Sequence, residues 1–213
     1  MNPVQTIILL KQTFIALLLK FTQDKELAQE LWSEIEIHYN SPGRHYHTLK
    51  HLECMLEQCS AILKNITKRD AFLFGLFYHD IIYDPLKQTN EALSAAFAEK
   101  RMGSFSADKD MINSCKNFIL ATKTHEPCTD DDINYFTDAD LSVLGKEWES
   151  YAVYCSNIRR EYSAYDDDTY KSGRKRVLHH FLKMKHIFKT AHFYNKFEKQ
   201  AIANLKNELA GLV

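Results

Sequence analysis

Thr67-Lys68-Arg69-Asp70-Ala71-Phe72-Leu73-Phe74-Gly75-Leu76-Phe77-Tyr78-His79-Asp80 is the stretch on which the reading of this chain turns. Its first four residues resemble a capping box with Asp in the last position, which predicts a helix start just before the apolar run. Apolar residues fill nearly every position from Phe72 to Tyr78. A helix over about Lys68 to His79 is therefore expected to be central and buried on several sides. It ends on a histidine and a carboxylate side by side. A buried carboxylate without a partner costs several kcal/mol, so a doublet placed there calls for a metal or another cation. The plainer alternative has Asp80 bridging a loop while His79 satisfies a backbone carbonyl.

Outward from that helix the chain keeps reading as helical. Only 6 Gly and 4 Pro punctuate 213 residues, far fewer than the turns of a many-stranded protein need. The first helix is expected over Pro3 to Phe21, with Ile7, Leu10, Phe14, Leu17, Leu18 and Phe21 forming a stripe at three- and four-residue steps. A second follows from about Asp24 to Tyr39. Asn40-Ser41-Pro42-Gly43 is the clearest breaker. Further helices are expected over Thr48 to Leu63, Gln88 to Met102, Ala107 to Thr122, Asp130 to Leu144, Trp148 to Tyr162, Asp166 to Met184 and Asn195 to Leu212. No repeat or linker divides the chain. The expectation is an all-α bundle of roughly eight to ten helices in a single domain, residues 1–213.

Composition narrows the function classes. Hydrophobic residues make up 45% and charged residues 26%, ordinary values for a soluble globular protein. With 27 basic and 28 acidic residues, no whole-protein field points to nucleic acid or membrane. The apolar run Val4 to Leu10 is interrupted by Lys11 and Lys20 before it reaches the roughly 20 residues a bilayer span requires, and it lacks the flanks of a signal peptide. Five scattered cysteines without a CxxC pair fit a reducing compartment, so a cytoplasmic location is expected.

Two further clusters join the His79-Asp80 doublet. In Arg44-His45-Tyr46-His47-Thr48-Leu49-Lys50-His51 the histidines 47 and 51 stand four residues apart. They share one helix face if the helix starts at about His47; a solvated, His-rich helix start is the alternative. In Asp138-Ala139-Asp140-Leu141 the two carboxylates differ by about 200° on a helix, so one faces a pocket while the other caps, pairs or meets solvent. Asp140 lies nearer the core side marked by Leu141 and Leu144. Histidine nitrogens with carboxylate oxygens suit Mn, Fe, Co, Ni, Zn or Mg. Two His and two Asp leave coordination positions open, where a bound ion lowers the pKa of water and polarises a phosphoryl oxygen.

The ordered set His51, His79-Asp80, Asp140 resembles the signature of the HD superfamily of metal-dependent phosphohydrolases. More closely, Tyr46-His47-Thr48-Leu49-Lys50-His51-Leu52, His79-Asp80-Ile81-Ile82-Tyr83-Asp84, Asn90-Glu91 with Ser94-Ala95, and Asp138-Ala139-Asp140-Leu141 are similar to the group of predicted metal-dependent HD phosphohydrolases. The likeness continues through Ile158-Arg159-Arg160-Glu161-Tyr162 and Gly173-Arg174, from about Leu31 onward. It implies an HD-type helical bundle holding a divalent metal on His51, His79, Asp80 and Asp140. It also implies hydrolysis of a phosphate ester or phosphoanhydride, with nucleotides as the leading substrate class. The Tyr46 to His51 stretch is also similar to the YHxxxH segment of cyclic-nucleotide phosphodiesterases. By that likeness His51 is the ligand and His47 the general acid; a rotated helix exchanges the two roles.

Around this set stand secondary candidates. Glu91 is placed to accept a proton from, or orient, an attacking water, or simply to favour a helix N-terminus. His125 reads as a phosphate contact or as an exposed loop residue. Lys50, Lys123, Arg159 and Arg174 are the cations available for phosphate, with surface solvation as the alternative for each. Asp166-Asp167-Asp168 reads as an N-cap region rather than a metal site. The reading implies a small phosphorylated substrate and neither membrane nor nucleic-acid partners, and it leaves open whether the protein forms an oligomer. Two rival classes stand beside it. One is a non-catalytic nucleotide- or metal-binding regulatory module. The other is an HD-type di-iron oxygenase, which needs additional buried ligands.

Overall fold

The computed structural model describes residues 3–212, so the ends of the expected 1–213 domain lie outside the described residues. Every regular element among them is a helix. The backbone clusters into two compact units, Met1–Glu126 and Pro127–Val213.

The first unit holds α1 (Pro3–Leu18), α2 (Lys25–Tyr39), α3 (Leu49–Ser60), a 3-10 turn (Leu63–Asn65), α4 (Arg69–Tyr78), α5 (Asn90–Ser104) and α6 (Lys109–Ala121). As the apolar run predicts, α4 is central and packs against α1, α3, α5 and α6. Every residue from Ala71 to Tyr78 is buried except the half-buried Leu73. Phe14 of α1 meets Phe74, Phe77 and Tyr78 of α4 edge-on, with centroids 5.1 to 6.3 Å apart, a favoured aromatic geometry. Phe72 meets Phe118 of α6 at 5.5 Å. The helix begins one position later than a cap at Thr67 would place it. The N-cap of α4 is Lys68, without a side-chain cap bond, and Asp70 instead pairs with Lys20 at 2.6 Å. Elsewhere carboxylates satisfy the N-terminal donors: Asp24 accepts from Leu27 N at 2.9 Å, and Asp108 from Met111 N at 2.8 Å.

The second unit holds α7 (Asp131–Asp140), a 3-10 segment (Leu141–Gly145), α8 (Trp148–Glu161), α9 (Asp167–Lys183) and α10 (Ala191–Gly211). Asp166 caps α9 by accepting from Thr169 N at 2.8 Å, so the aspartate run is the N-cap region expected. The helix foreseen over Asp130 to Leu144 tightens into the 3-10 segment after Asp140. There Asn204 of α10 donates to both Leu144 O and Lys146 O at 2.8 Å, taking carbonyls that an α-helix would not leave free. The last helix starts at Ala191, four residues earlier than foreseen. Buried carboxylates hold the segment that leads into it: Glu198 accepts from Ile187 N and Phe188 N at 3.0 Å, and Asp138 accepts from Lys189 N and Thr190 N.

Candidate metal centre

In the first unit the site forms where α4 ends and α3 begins. His79 is the C-cap of α4 and is buried; Asp80 follows, half-buried. His79 Nδ1 lies 2.9 Å from Leu76 O. A carbonyl only accepts, so Nδ1 carries a proton and Nε2 is the ring nitrogen turned to the site. His79 Nε2 faces Asp80 Oδ2 at 3.0 Å and the Nε2 of buried His51 at 3.0 Å. His51 Nε2 is in turn 3.7 Å from Asp80 Oδ2. Two imidazole nitrogens and a carboxylate oxygen thus converge where only a proton or a cation relieves them. An N,N,O donor set of this kind fits a borderline divalent ion.

His47 joins the cluster by a different route from the one expected. Helix α3 starts at Leu49 behind the N-cap Thr48, whose side chain accepts from Lys50 N at 3.3 Å, so His47 precedes the helix and shares no helical face with His51. The turn brings its Nε2 to 3.9 Å from Asp80 Oδ2, and its ring lies over Tyr83 at 4.2 Å and 30°. His51 is the buried member of the pair and His47 the half-buried one.

The loop after the doublet is pinned from α5. Asn90 Nδ2 donates to Asp84 O at 2.9 Å while its Oδ1 accepts from Asp84 N at 3.1 Å. Ser94 Oγ lies within bonding distance of both backbone groups of Ile82, at 3.1 and 3.2 Å. Glu91, between them in the first turn of α5, is half-buried. Lys50 bonds the fully buried Glu53, which holds its ammonium above the ordinary value. Lys123 donates to Gln88 O at 3.1 Å. His125 takes a left-handed backbone conformation, φ +55°, in the turn that ends α6, with its N–H donating to Ala121 O at 3.0 Å.

In the second unit the two aspartates separate clearly. Asp138 is the more buried of the two, contrary to the expectation that Asp140 lies nearer the core. Both its oxygens accept from Lys189 N at 3.0 Å, and Oδ2 also accepts from Thr190 N and Thr190 Oγ1 at 2.8 Å. Asp138 is therefore a structural anchor, and Asp140, at the end of α7, is half-buried. The two arginines foreseen as phosphate contacts are engaged within the unit. Arg174 Nε and Nη2 form a bidentate pair with Glu208 at 2.7 and 3.0 Å, and Nη1 donates to Tyr154 OH at 3.2 Å. Arg159 binds Asp167 and the carbonyls of Tyr162 and Tyr165, tying the α8–α9 turn. A guanidinium whose fork is already filled has little left for phosphate.

Sequence reasoning passed over Arg44, which donates to the carbonyls of His47, Asp80 and Ile81. The signal was present: no acidic residue occurs from Asn40 to Leu52, so an arginine buried there has no local carboxylate. None of the five cysteines is joined in a disulfide, and no described helix is long and apolar enough to cross a membrane. Comparison with known protein families, curated proteins and solved structures found no match.

Proposed function

We propose that this protein is a metal-dependent phosphohydrolase that cleaves a phosphate ester or phosphoanhydride of a nucleotide or a related small phosphorylated metabolite. The observation that carries the reading is the convergence of His51 Nε2, His79 Nε2 and Asp80 Oδ2, with the His79 tautomer set by Leu76 O. Asp140 is the proposed fourth ligand. It has the distal position in the ordered set, and Asp138 is otherwise engaged.

A divalent ion of the Mn, Co, Ni, Fe, Zn or Mg type, bound there, supplies an acidified water and a Lewis acid for a phosphoryl oxygen. The remaining work falls to the side chains. Asp80, beside both imidazoles, orients the attacking water and accepts its proton. His47 is the proton donor to the leaving oxygen: it is half-exposed where a substrate can reach it, and Tyr83 stacking limits its ring rotation. Glu91 is the proposed second acceptor on the water side, and Lys50 and His125 are the proposed contacts for the substrate phosphate.

Metal analysis of the purified protein, with a phosphate-release screen over nucleotides and sugar phosphates in added Mn, Co, Ni or Mg, tests this. One nucleotide class should respond, and folded His79→Ala and Asp80→Ala variants should lose both metal and turnover. His47→Gln should keep its metal and lose about 10²–10⁴-fold in kcat. Full metal content and full activity in the folded His79→Ala and Asp80→Ala variants would sink the proposal.

A further inference from the structure

Helix α4 ends at Tyr78, and beyond its closing bonds, His79 N to Gly75 O at 2.8 Å and Ile81 N to Tyr78 O at 3.2 Å, the backbone needs other partners. The N–H of Asp80 and the carbonyls of Asp80 and Ile81 lie in that stretch, and side chains satisfy them. Tyr39 OH accepts from Asp80 N at 3.3 Å. Arg44 donates from Nη1 to Asp80 O at 2.7 Å and from Nη2 to Ile81 O at 2.9 Å. The same Nη1 reaches back to His47 O at 3.0 Å, and Nε bonds Ser41 Oγ at 3.2 Å. Tyr39 and Tyr83 enclose the guanidinium, with its carbon 4.9 and 5.4 Å from their ring centroids.

This use of an arginine is unusual in one respect. Arg44 is buried, only 9% exposed, and all four of these bonds go to neutral acceptors, three of them backbone carbonyls, with no carboxylate among them. A surface arginine or lysine at a helix C-terminus would satisfy one or two carbonyls at the same end. Arg44 does more: its Nη1 joins the carbonyl of His47, four residues ahead of His51, to that of Asp80, one residue beyond His79. The planar fork fixes the distance between the turn beside Arg44 and a carbonyl 36 residues from Arg44 in sequence, and a flexible ammonium does not hold both in that one geometry.

We propose that Arg44 is a positioning residue of the metal centre: by bonding His47 O, Asp80 O and Ile81 O together, it sets the spacing between the His47–His51 turn and the His79-Asp80 doublet. The inference rests on the proposed metal-dependent function and specifies what holds its ligands in register. Arg44 touches neither metal nor substrate in this role. It acts on the ligands' backbone, as outer residues that orient metal ligands do elsewhere, where their removal weakens metal affinity about 10–100-fold.

The test titrates Co²⁺ alone into the full chain, following calorimetry and the visible bands of the cobalt complex, for wild type, Arg44→Met and Arg44→Lys. Circular dichroism confirms folding at the assay temperature. The expected result is about 10–100-fold weaker cobalt binding with shifted bands for Arg44→Met, and a smaller loss for Arg44→Lys, whose ammonium serves the carbonyls without the fork. A merely structural arginine would lower the melting temperature and leave affinity and spectrum unchanged; that outcome overturns the proposal. If Arg44→Met does not fold, Arg44→Lys decides, and wild-type cobalt affinity there overturns it. Wild-type protein that binds no cobalt is a different failure, since it removes the proposed metal centre itself and this inference with it.

Discussion

Replacing each aspartate of the Asp138-Ala139-Asp140 segment by alanine separates folding from metal binding. Asp138 is fully buried and accepts from two backbone N–H groups and the Thr190 hydroxyl, with Lys189 Nζ 3.4 Å from Oδ1. Asp138→Ala strips a buried ammonium of the carboxylate beside it and leaves the donors of the 189–190 backbone without their acceptor. Breaking a buried ion pair from one side costs about 3–5 kcal/mol. For a chain of this size each kcal/mol moves the melting temperature by about 2–4 °C, so the expected fall is roughly 6–20 °C. Asp140 is half-buried and ends its helix, so Asp140→Ala should melt within about 2 °C of wild type while losing its bound metal. Thermal unfolding by circular dichroism and metal content by mass spectrometry read the two effects separately. An Asp138→Ala variant as stable as wild type, or an Asp140→Ala variant with its full complement of metal, would refute the division of roles.

Two further predictions concern the second unit. A methyl at Gly145 would meet Phe197 of α10, coming within 2.7 Å of its carbonyl oxygen and 2.8 Å of its Cα, where backbone cannot yield easily. Gly145→Ala should therefore destabilise by about 1–3 kcal/mol in denaturant melts, and an unchanged midpoint would show that the 3-10 segment can move away from α10. Burial pushes the Glu208 carboxyl up, but the Arg174 fork and the Tyr151 hydroxyl outweigh it and leave the group below its ordinary value of 4.5. A carboxyl depressed on folding contributes stability that is fully present above its unfolded value and is lost as pH falls through the folded one. Glu208→Gln should thus lower the melting temperature at pH 7 and flatten its decline below about pH 4.5; a parallel acid limb in the variant would contradict this.

The helices were legible because their signals are local. Stripes such as Leu10, Phe14, Leu17 and Leu18 recur at helical steps, and Asp24, Thr48, Asp108, Asp130 and Asp166 are N-cap residues that do in the structure what their chemistry suggests. The misreadings arose where a distant residue supplied the partner. Thr67 to Asp70 matched a capping box, but Lys20, 50 residues away, draws Asp70 into an ion pair. The run to Leu144 matched a continuing helix, but Asn204 takes the carbonyls of Leu144 and Lys146, and backbone contact at Gly145 sets the path. Local propensity cannot register a hydrogen bond that spans 60 positions.

The same physics divides the candidate site. His51, His79 and Asp80 were legible because imidazole and carboxylate beside a buried helix demand compensation wherever the fold places them. The side chains that orient them were not, since their targets are backbone groups and leave no complementary residue type to search for. Arg44 serves carbonyls, and Asn90 and Ser94 serve the backbone of Asp84 and Ile82. Asp138 shows the converse: as a carboxylate in the right motif it qualified as a ligand, until the N–H groups of Lys189 and Thr190, 51 and 52 residues away, accounted for its oxygens. A carboxylate pair in a sequence thus identifies a site only after backbone donors have been assigned, because a buried N–H competes for the same lone pairs as a metal ion.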